Sequence, residues 1–418
     1  MFWNCQKTSR TSRKSRMRYI TFFLLILSCL AIAEDPPHVG ERLAHGLSWD
    51  TPAPGRNDGR IYYYVPPQLD LTKPAGLFIF LHGGSSSSKD NAPQSYISGG
   101  LKRELDKSSF ILAMPSAPPP QKIHTGHRWN YEGTYKSILA TIEEVAKRAN
   151  INRDRIIFGG VSMGGYGAYH MAELIADRLA GIWLVAGAWT VTDFSTLSGT
   201  PVYITHGRRD TFPSIKDNKV KSRKNSWTGV SFARAADKLM TQYGIEHVYD
   251  ETNGGHGMLD DATARFFSWA ANQCRQPYAK HVVIVSPCGT KHPVMETVMK
   301  SRWLEAVDVE KGPIQLDKIH LKGPNIAKTE DDWKAQSFEL EKTELQGFRL
   351  SAVNEGGNTF RVKAEHVRSF RILLSPQMAD LSKPIKVEAG LLGVKFLKPQ
   401  PLKDDSDYTA QIIFNAQR

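Results

Sequence analysis

One stretch constrains this chain more than any other: residues 156–167, which read IIFGGVSMGGYG. An apolar run that suits a strand breaks at glycines around a single serine and then resumes with the spacing of a helix. Gly160, Ser162 and Gly164 fit the pattern G-x-S-x-G. Small neighbours are required there because a strand turning sharply into a helix has no room for a Cβ on either side of the serine. Such a turn lifts the Ser162 hydroxyl clear of the sheet. It also sets the first helical N–H, that of Met163, beside that oxygen, where negative charge develops during acyl transfer. A glycine-rich turn with an incidental serine is the competing reading, so the partners decide.

Three other stretches supply partners. Residues 76–81 are continuously apolar, as expected of a strand covered on both faces, and lead straight into His82-Gly83-Gly84. Glycines there allow the N–H of Gly83 or of Gly84 to turn toward a reacting carbonyl, the second half of an oxyanion hole; a plain β-turn is the alternative. The apolar run 201–205 ends in His206-Gly207-Arg208-Arg209-Asp210, which puts a carboxylate just beyond a strand's C-terminal end. Asp210 is the expected triad acid, with Asp193, beyond the preceding apolar run, as the other candidate. His256 stands between Gly255 and Gly257 after the strand-like residues 247–251, free to swing its ring over the sheet edge and take the serine's proton. His247 falls inside that strand and is expected to be structural. The chain order Ser162, Asp210, His256 belongs to one fold among the several that use such a triad.

The intervening segments alternate between strand and helix. Ile138, Ile142, Val145 and Ala149 mark one apolar helix face, and a second helix runs through Phe232, Leu239 and Met240 to Gly244. Apolar runs at 110–114, 179–188 and 201–205 separate the helices, which predicts a mostly parallel sheet with helices on both faces. Residues 60–66 read as an outer strand, and residues 152–155 (NRDR) as the turn that delivers the serine strand. Residues 116–129 have no periodicity, the texture expected of a pocket rim. His127 and Trp129 are candidate walls there, although an aromatic in a loop also serves to plug a core edge.

These residues together resemble the α/β-hydrolase superfamily, and within it the secreted group of poly(3-hydroxybutyrate) depolymerases, feruloyl and acetylxylan esterases and the catalytic domain of prolyl oligopeptidases. The resemblance covers about residues 60–275 and rests on 81–84, 152–167, 206–210 and 255–257. It implies an α/β-hydrolase fold, the catalytic residues Ser162, Asp210 and His256, and oxyanion donors from Gly83 or Gly84 and from Met163. It implies no metal or organic cofactor. The prolyl oligopeptidases match only in the hydrolase part, and an N-terminal propeller like theirs is not expected here.

Charge and cysteine content bound the remaining possibilities. Six of the 54 basic residues lie in the first 33 positions and none of the 42 acidic ones, which leaves 48 against 42 in the rest. That balance is too mild to argue for nucleic acid. Those six precede the apolar residues 19–33, which end in the small-x-small site Ala31-Ile32-Ala33. This predicts a secretory signal over residues 1–33, too short to span a bilayer, and hence a periplasmic or extracellular protein with no stable membrane anchor after cleavage. Cys274 and Cys288 then remain; export permits a disulfide between them without requiring one. The basic residues between 216 and 224 read as a solvated loop, with attraction of an anionic polymer as the alternative.

Helical spacing stops near Gln276. Residues 359–364 and 384–389 alternate apolar and polar, and Glu355-Gly356-Gly357-Asn358 suits a hairpin turn. The expected division is therefore a signal (1–33), an α/β-hydrolase domain (34–275) and a small β-sandwich domain (276–418) that takes no part in the chemical step. The expected activity is that of an exported serine hydrolase acting on carboxylic esters, possible substrates including polymeric or plant-wall esters. A serine peptidase and a non-catalytic binding protein with a relic site are the other readings.

Overall fold

The computed structural model describes residues 42–50, 52–84, 92–119, 128–216, 219–221, 228–289, 295–403 and 405–416. The expected signal, His127 and part of the basic run lie outside the described residues. Eight strands form the first sheet: β1 (Gly46–Asp50), β2 (Ile61–Val65), β3 (Ala75–Leu81), β4 (Phe110–Pro115), β5 (Ile151–Val161), β6 (Gly181–Val185), β7 (Val202–Gly207) and β8 (His247–Thr252). Their order is β1-β2-β4-β3-β5-β6-β7-β8, with β2 antiparallel to both of its neighbours and β3 to β8 all parallel. This is the mostly parallel sheet, with helices on both faces, expected of an α/β-hydrolase fold. From β3 the chain crosses outward to β4 and then back to β5 on the other side, so the crevice between the ends of β3 and β5 is a topological switch point.

The period of two along β3 explains why both faces need helices. Leu77, Ile79 and Leu81 enter one core, with Ile138, Ile142 and Val145 of α2 (Thr134–Arg148), Ala168, Met171 and Ile175 of α3 (Met163–Ile175), and Phe232 and Leu239 of α4 (Ser231–Tyr243). Phe78 and Phe80 enter the other, with Leu101 and Leu105 of α1 (Gly99–Asp106) and Phe266 and Phe267 of α5 (Asp260–Ala270). Gly244 ends α4 in the left-handed conformation, φ 65°. Among the described residues no helix is long and apolar enough to cross a membrane.

Two local expectations are corrected. Residues 60–66 are not at the sheet edge: β2 is wholly buried, because β1 pairs along its outer side. Residues 152–155 are not a turn but lie within β5. Ile151 already pairs with Ala75, and the register shifts before Ile156 meets Leu77, so the polar residues occupy a bulged strand start.

The remainder of the chain is a β-sandwich. One sheet contains β9 (His281–Ser286), β11 (Gly312–Lys322), β12 (Ser337–Gly356), β13 (Thr359–Glu365), β15 (Ile385–Glu388) and β16 (Val394–Leu397); the other is built on β10 (Leu304–Val309), β14 (Val367–Leu374) and β17 (Ala410–Asn415). Leu350, Phe360, Val362 and Ile385 face Leu304, Phe370, Ile372 and Phe414 across the shared core. The β12–β13 turn has positive φ at both Gly357 (55°) and Asn358 (60°), as a tight hairpin of this hand needs. No disulfide joins Cys274 and Cys288.

The two regions interlock. A two-residue strand, Val191–Thr192, leaves the α/β region and pairs with Lys318 and Asp317 of β11, and Arg349 of β12 meets the buried Asp193 at 2.5 Å. β11 and β12 pair over eleven positions, an arm of roughly 35 Å at strand rise. Under this junction Glu173 of α3 is buried, accepting from Thr192 Oγ1 and from the N–H of Gly289. Burial, with the nearby Asp193 charge adding to it, pushes its carboxyl up to about 8. The folded protein therefore holds a proton on Glu173 between its ordinary value of ~4.3 and about 8, where the unfolded chain has lost it. Stability should fall as pH rises across that window. Glu173→Gln, which mimics the protonated acid, should remove this slope and gain on the order of a few kcal/mol over the parent between pH 5 and pH 8, as read by urea denaturation at both pH values.

Candidate active site

Ser162 sits at the junction of β5 and α3 with φ 57° and ψ −117°, a sparsely populated conformation for a residue with a side chain. The surroundings hold it there. Its N–H donates to Val185 O, and its carbonyl accepts from Tyr166 N–H, both at 2.9 Å. A Cβ on Gly160 would lie 2.4 Å from the Gly164 carbonyl, and one on Gly164 would lie 2.0 Å from the Leu81 carbonyl. The glycines of the motif are thus an approach requirement: α3 begins in contact with the last peptides of β3.

The structure brings the three separate stretches to this point. His256 Nε2 is 2.8 Å from Ser162 Oγ, and His256 Nδ1 is 2.7 Å from Asp210 Oδ2. A carboxylate only accepts, so Nδ1 carries the proton toward Asp210 and Nε2 is left to accept from the serine hydroxyl. Asp210 is 1% exposed. Burial opposes its ionisation, but hydrogen bonds from His206 and His256 outweigh that and hold the carboxyl below its ordinary range. His206 Nε2 lies 3.1 Å from Asp210 Oδ2 and 2.9 Å from Thr228 O, so its N–H is shared between the two acceptors. A hydroxyl, an imidazole and a carboxylate so arranged can pass a proton from serine to histidine.

Asp193 is elsewhere. Its carboxylate accepts from Ser195 N–H, capping a short turn, and pairs with Arg349. His247 stays in its strand, between Ile245 O and Asp237. Trp129 is 1% exposed and donates to His82 O at 3.0 Å, so it plugs the core beneath the rim.

The peptides after β3 are oriented by a buried ring. His82 Nε2 accepts from Ala117 N–H at 3.0 Å, which leaves the proton on Nδ1, and Nδ1 donates to Gly83 O at 2.7 Å. In a trans peptide the N–H of Gly84 then points away from that ring. Gly84 lies against Met163, where an added Cβ would be 3.6 Å from the methionine Cβ. The N–H of Gly83 donates to the Tyr96 hydroxyl instead. His206 and Tyr96 are the neighbours of the site that sequence reasoning missed. His206 had a signal, standing four residues before the acid in the same quoted stretch. Tyr96 had none, because nothing local ties it to Gly83.

No family model matches the sequence. Over 153 residues it is 26% identical to a bifunctional acetylxylan esterase/xylanase of Neocallimastix patriciarum, a match covering 36% of this chain and 21% of that protein. The chain therefore spans about a fifth of that relative's length. Among solved structures it is similar to a thermostable esterase (TM-score 0.38, 18% identity, 52% of this chain and 60% of that one). It is also similar to an S-formylglutathione hydrolase from Staphylococcus aureus (TM-score 0.40, 16% identity, 55% of this chain and all of that one).

The close approach at the elbow is testable by itself. Gly164→Ala should lower the unfolding free energy by about 1–3 kcal/mol. Gly255→Ala, where an added Cβ meets nothing within 4 Å, should cost clearly less in the same urea titration.

Proposed function

We propose that this chain is an exported serine hydrolase that cleaves carboxylic esters through an acyl-enzyme on Ser162, with His256 as general base and acid and Asp210 as its partner. The observation that carries the reading is the unbroken hydrogen-bond path from Asp210 through His256 to a serine held in a strained turn at a helix N-terminus. Ser162 Oγ attacks the ester carbonyl while its proton passes to His256 Nε2. The imidazolium so formed keeps its Nδ1–H on Asp210. The carbonyl oxygen, now an anion, takes hydrogen bonds from Met163 N–H, which has no partner within its helix, and from Gly84 N–H. Gly84 is preferred over Gly83, whose N–H is already given to Tyr96. As the bond to the alcohol breaks, His256 returns the proton to that oxygen; a water then repeats the sequence to release the acid.

The finer parts of the proposal are removal of residues 1–33 on export, a catalytic region at 34–275 and a β-sandwich region at 276–418. Its substrate is an ester, with polymeric or plant-wall esters as one candidate class. The words "acetylxylan esterase" in the relative's name agree with that class. The reading needs no metal or organic cofactor.

A fluorophosphonate probe should label the protein, and Ser162→Ala should abolish labelling and lower kcat on an activated ester by roughly 10³-fold or more. Labelling that persists in the variant would remove the reading. A panel of acyl esters against aminoacyl amides separates an esterase from a peptidase. Between the two acids, Asp210→Asn should cut kcat far more than Asp193→Asn, since only Asp210 touches the His256 ring. The reverse order would move the acid to Asp193.

A further inference from the structure

The residue after the triad acid is in an unusual conformation. Thr211 has φ 71°, in the left-handed region that β-branched residues avoid, and it is 3% exposed. Such an outlier persists only where the surroundings over-determine it. Those surroundings come largely from the far end of the arm formed by β11 and β12. Thr211 Oγ1 donates to Gln336 Oε1 at 2.8 Å, and Gln336 Nε2 donates to Pro324 O at 3.0 Å. A carbonyl only accepts, so the Pro324 bond fixes which end of the amide faces Thr211. One side chain thus ties the two limbs of the arm's tip together and binds both to the acid loop. The next residue, Phe212, is gripped as well: the Trp333 ring meets it edge-on at 5.1 Å, and the Arg209 guanidinium lies 4.2 Å from its centroid. Trp333 belongs to a short helix, α6 (Glu330–Ala335), at the arm's tip.

Along its length the arm is fastened to the hydrolase region. Arg349 meets Asp193 near its base, the strand Val191–Thr192 pairs midway, and Asp317 accepts from the Tyr243 hydroxyl of α4. On the other side of Asp210 the loop is tied by Arg208 N–H to Thr252 O and by Arg209 N–H to Gly254 O, both 2.9 Å, which leads directly toward His256. The carboxylate is therefore held between a segment that also carries the base and a tether from residues more than a hundred positions later.

We propose that Gln336 is a positioning residue for Asp210, acting through Thr211 to keep the carboxylate on the His256 ring. The proposal rests on the triad reading above. It also replaces the expectation that the C-terminal region takes no part in the chemical step: the region reaches the site through its arm and sets the direction of the acid without touching substrate.

Two single variants remove the tether, Gln336→Ala and Thr211→Val, the second keeping the branched shape. Each should lower kcat on a soluble activated ester about tenfold to a hundredfold with KM nearly constant. Each should also weaken the far-downfield proton resonance of His256 Nδ1–H. Thr211→Ser, which keeps the hydroxyl, should restore both. The double variant should be no slower than either single, as for two partners of one bond. Should Gln336→Ala fail to fold by circular dichroism, Thr211→Val carries the test, since it changes one hydroxyl to a methyl. Parental kcat in Thr211→Val, additive losses in the double variant, or a loss confined to KM would each overturn the proposal. Fluorophosphonate labelling is scored in the same series. No labelling of the parent removes the triad reading itself, whereas normal labelling with unaffected variants removes only the role of Gln336.

Discussion

The contact between the first turn of α3 and the last peptides of β3 is the constraint on which the site depends. Gly164 leaves no space for a side chain beneath the Leu81 carbonyl, and Gly160 none beside Gly164. Because the two elements touch, the serine that opens α3 and the glycines that follow β3 occupy one small volume at the switch point of the sheet. The N-terminus of α3 and the peptide of Gly84, which lies against Met163, therefore border the same small space. The strained Ser162 backbone is the cost of that convergence, and the surrounding peptide hydrogen bonds sustain it.

A second dependence runs through the Asp210 carboxylate. Removed from water, it would be driven toward its neutral form, which could not stabilise an imidazolium. Two histidine N–H groups reverse that balance, and both donate to the same oxygen. The other oxygen, Oδ1, is buried without a hydrogen-bond partner among the described residues. In a low-dielectric site such an arrangement makes the remaining bonds matter more, because little else competes for the charge. His206 is therefore a working part of the site's electrostatics as well as a strand terminus.

The β-sandwich has its own core, built of side chains that alternate inward from two sheets. Yet its boundary with the α/β region is not a simple linker. A strand from one region pairs in the sheet of the other, Arg349 neutralises Asp193, and Glu173 is kept protonated beneath them. A buried aspartate whose partner sits on a distant strand makes each region part of the other's electrostatic balance. This explains why Asp193, which by position beyond an apolar run had the same local look as Asp210, belongs to the junction.

The sequence by itself determined what depends on neighbours along the chain. The elbow was legible because G-x-S-x-G after an apolar run admits few backbones, and the sheet because apolar runs and helical faces alternate. The sandwich was legible because 359–364 and 384–389 keep a period of two. Tertiary structure decided whatever depends on residues far apart: that Asp210 rather than Asp193 lies against His256, that Tyr96 takes the Gly83 N–H, and that β2 is covered. The same holds for the bulged start of β5, where pairing with β3 overrides the turn character of Asn152 and Asp154. The deepest of these is the bond between Thr211 and Gln336, separated by 125 positions. No local pattern encodes it, because the hydrogen-bonding partner is chosen by how an arm of two strands happens to reach, and that follows from the register of β11 on β12.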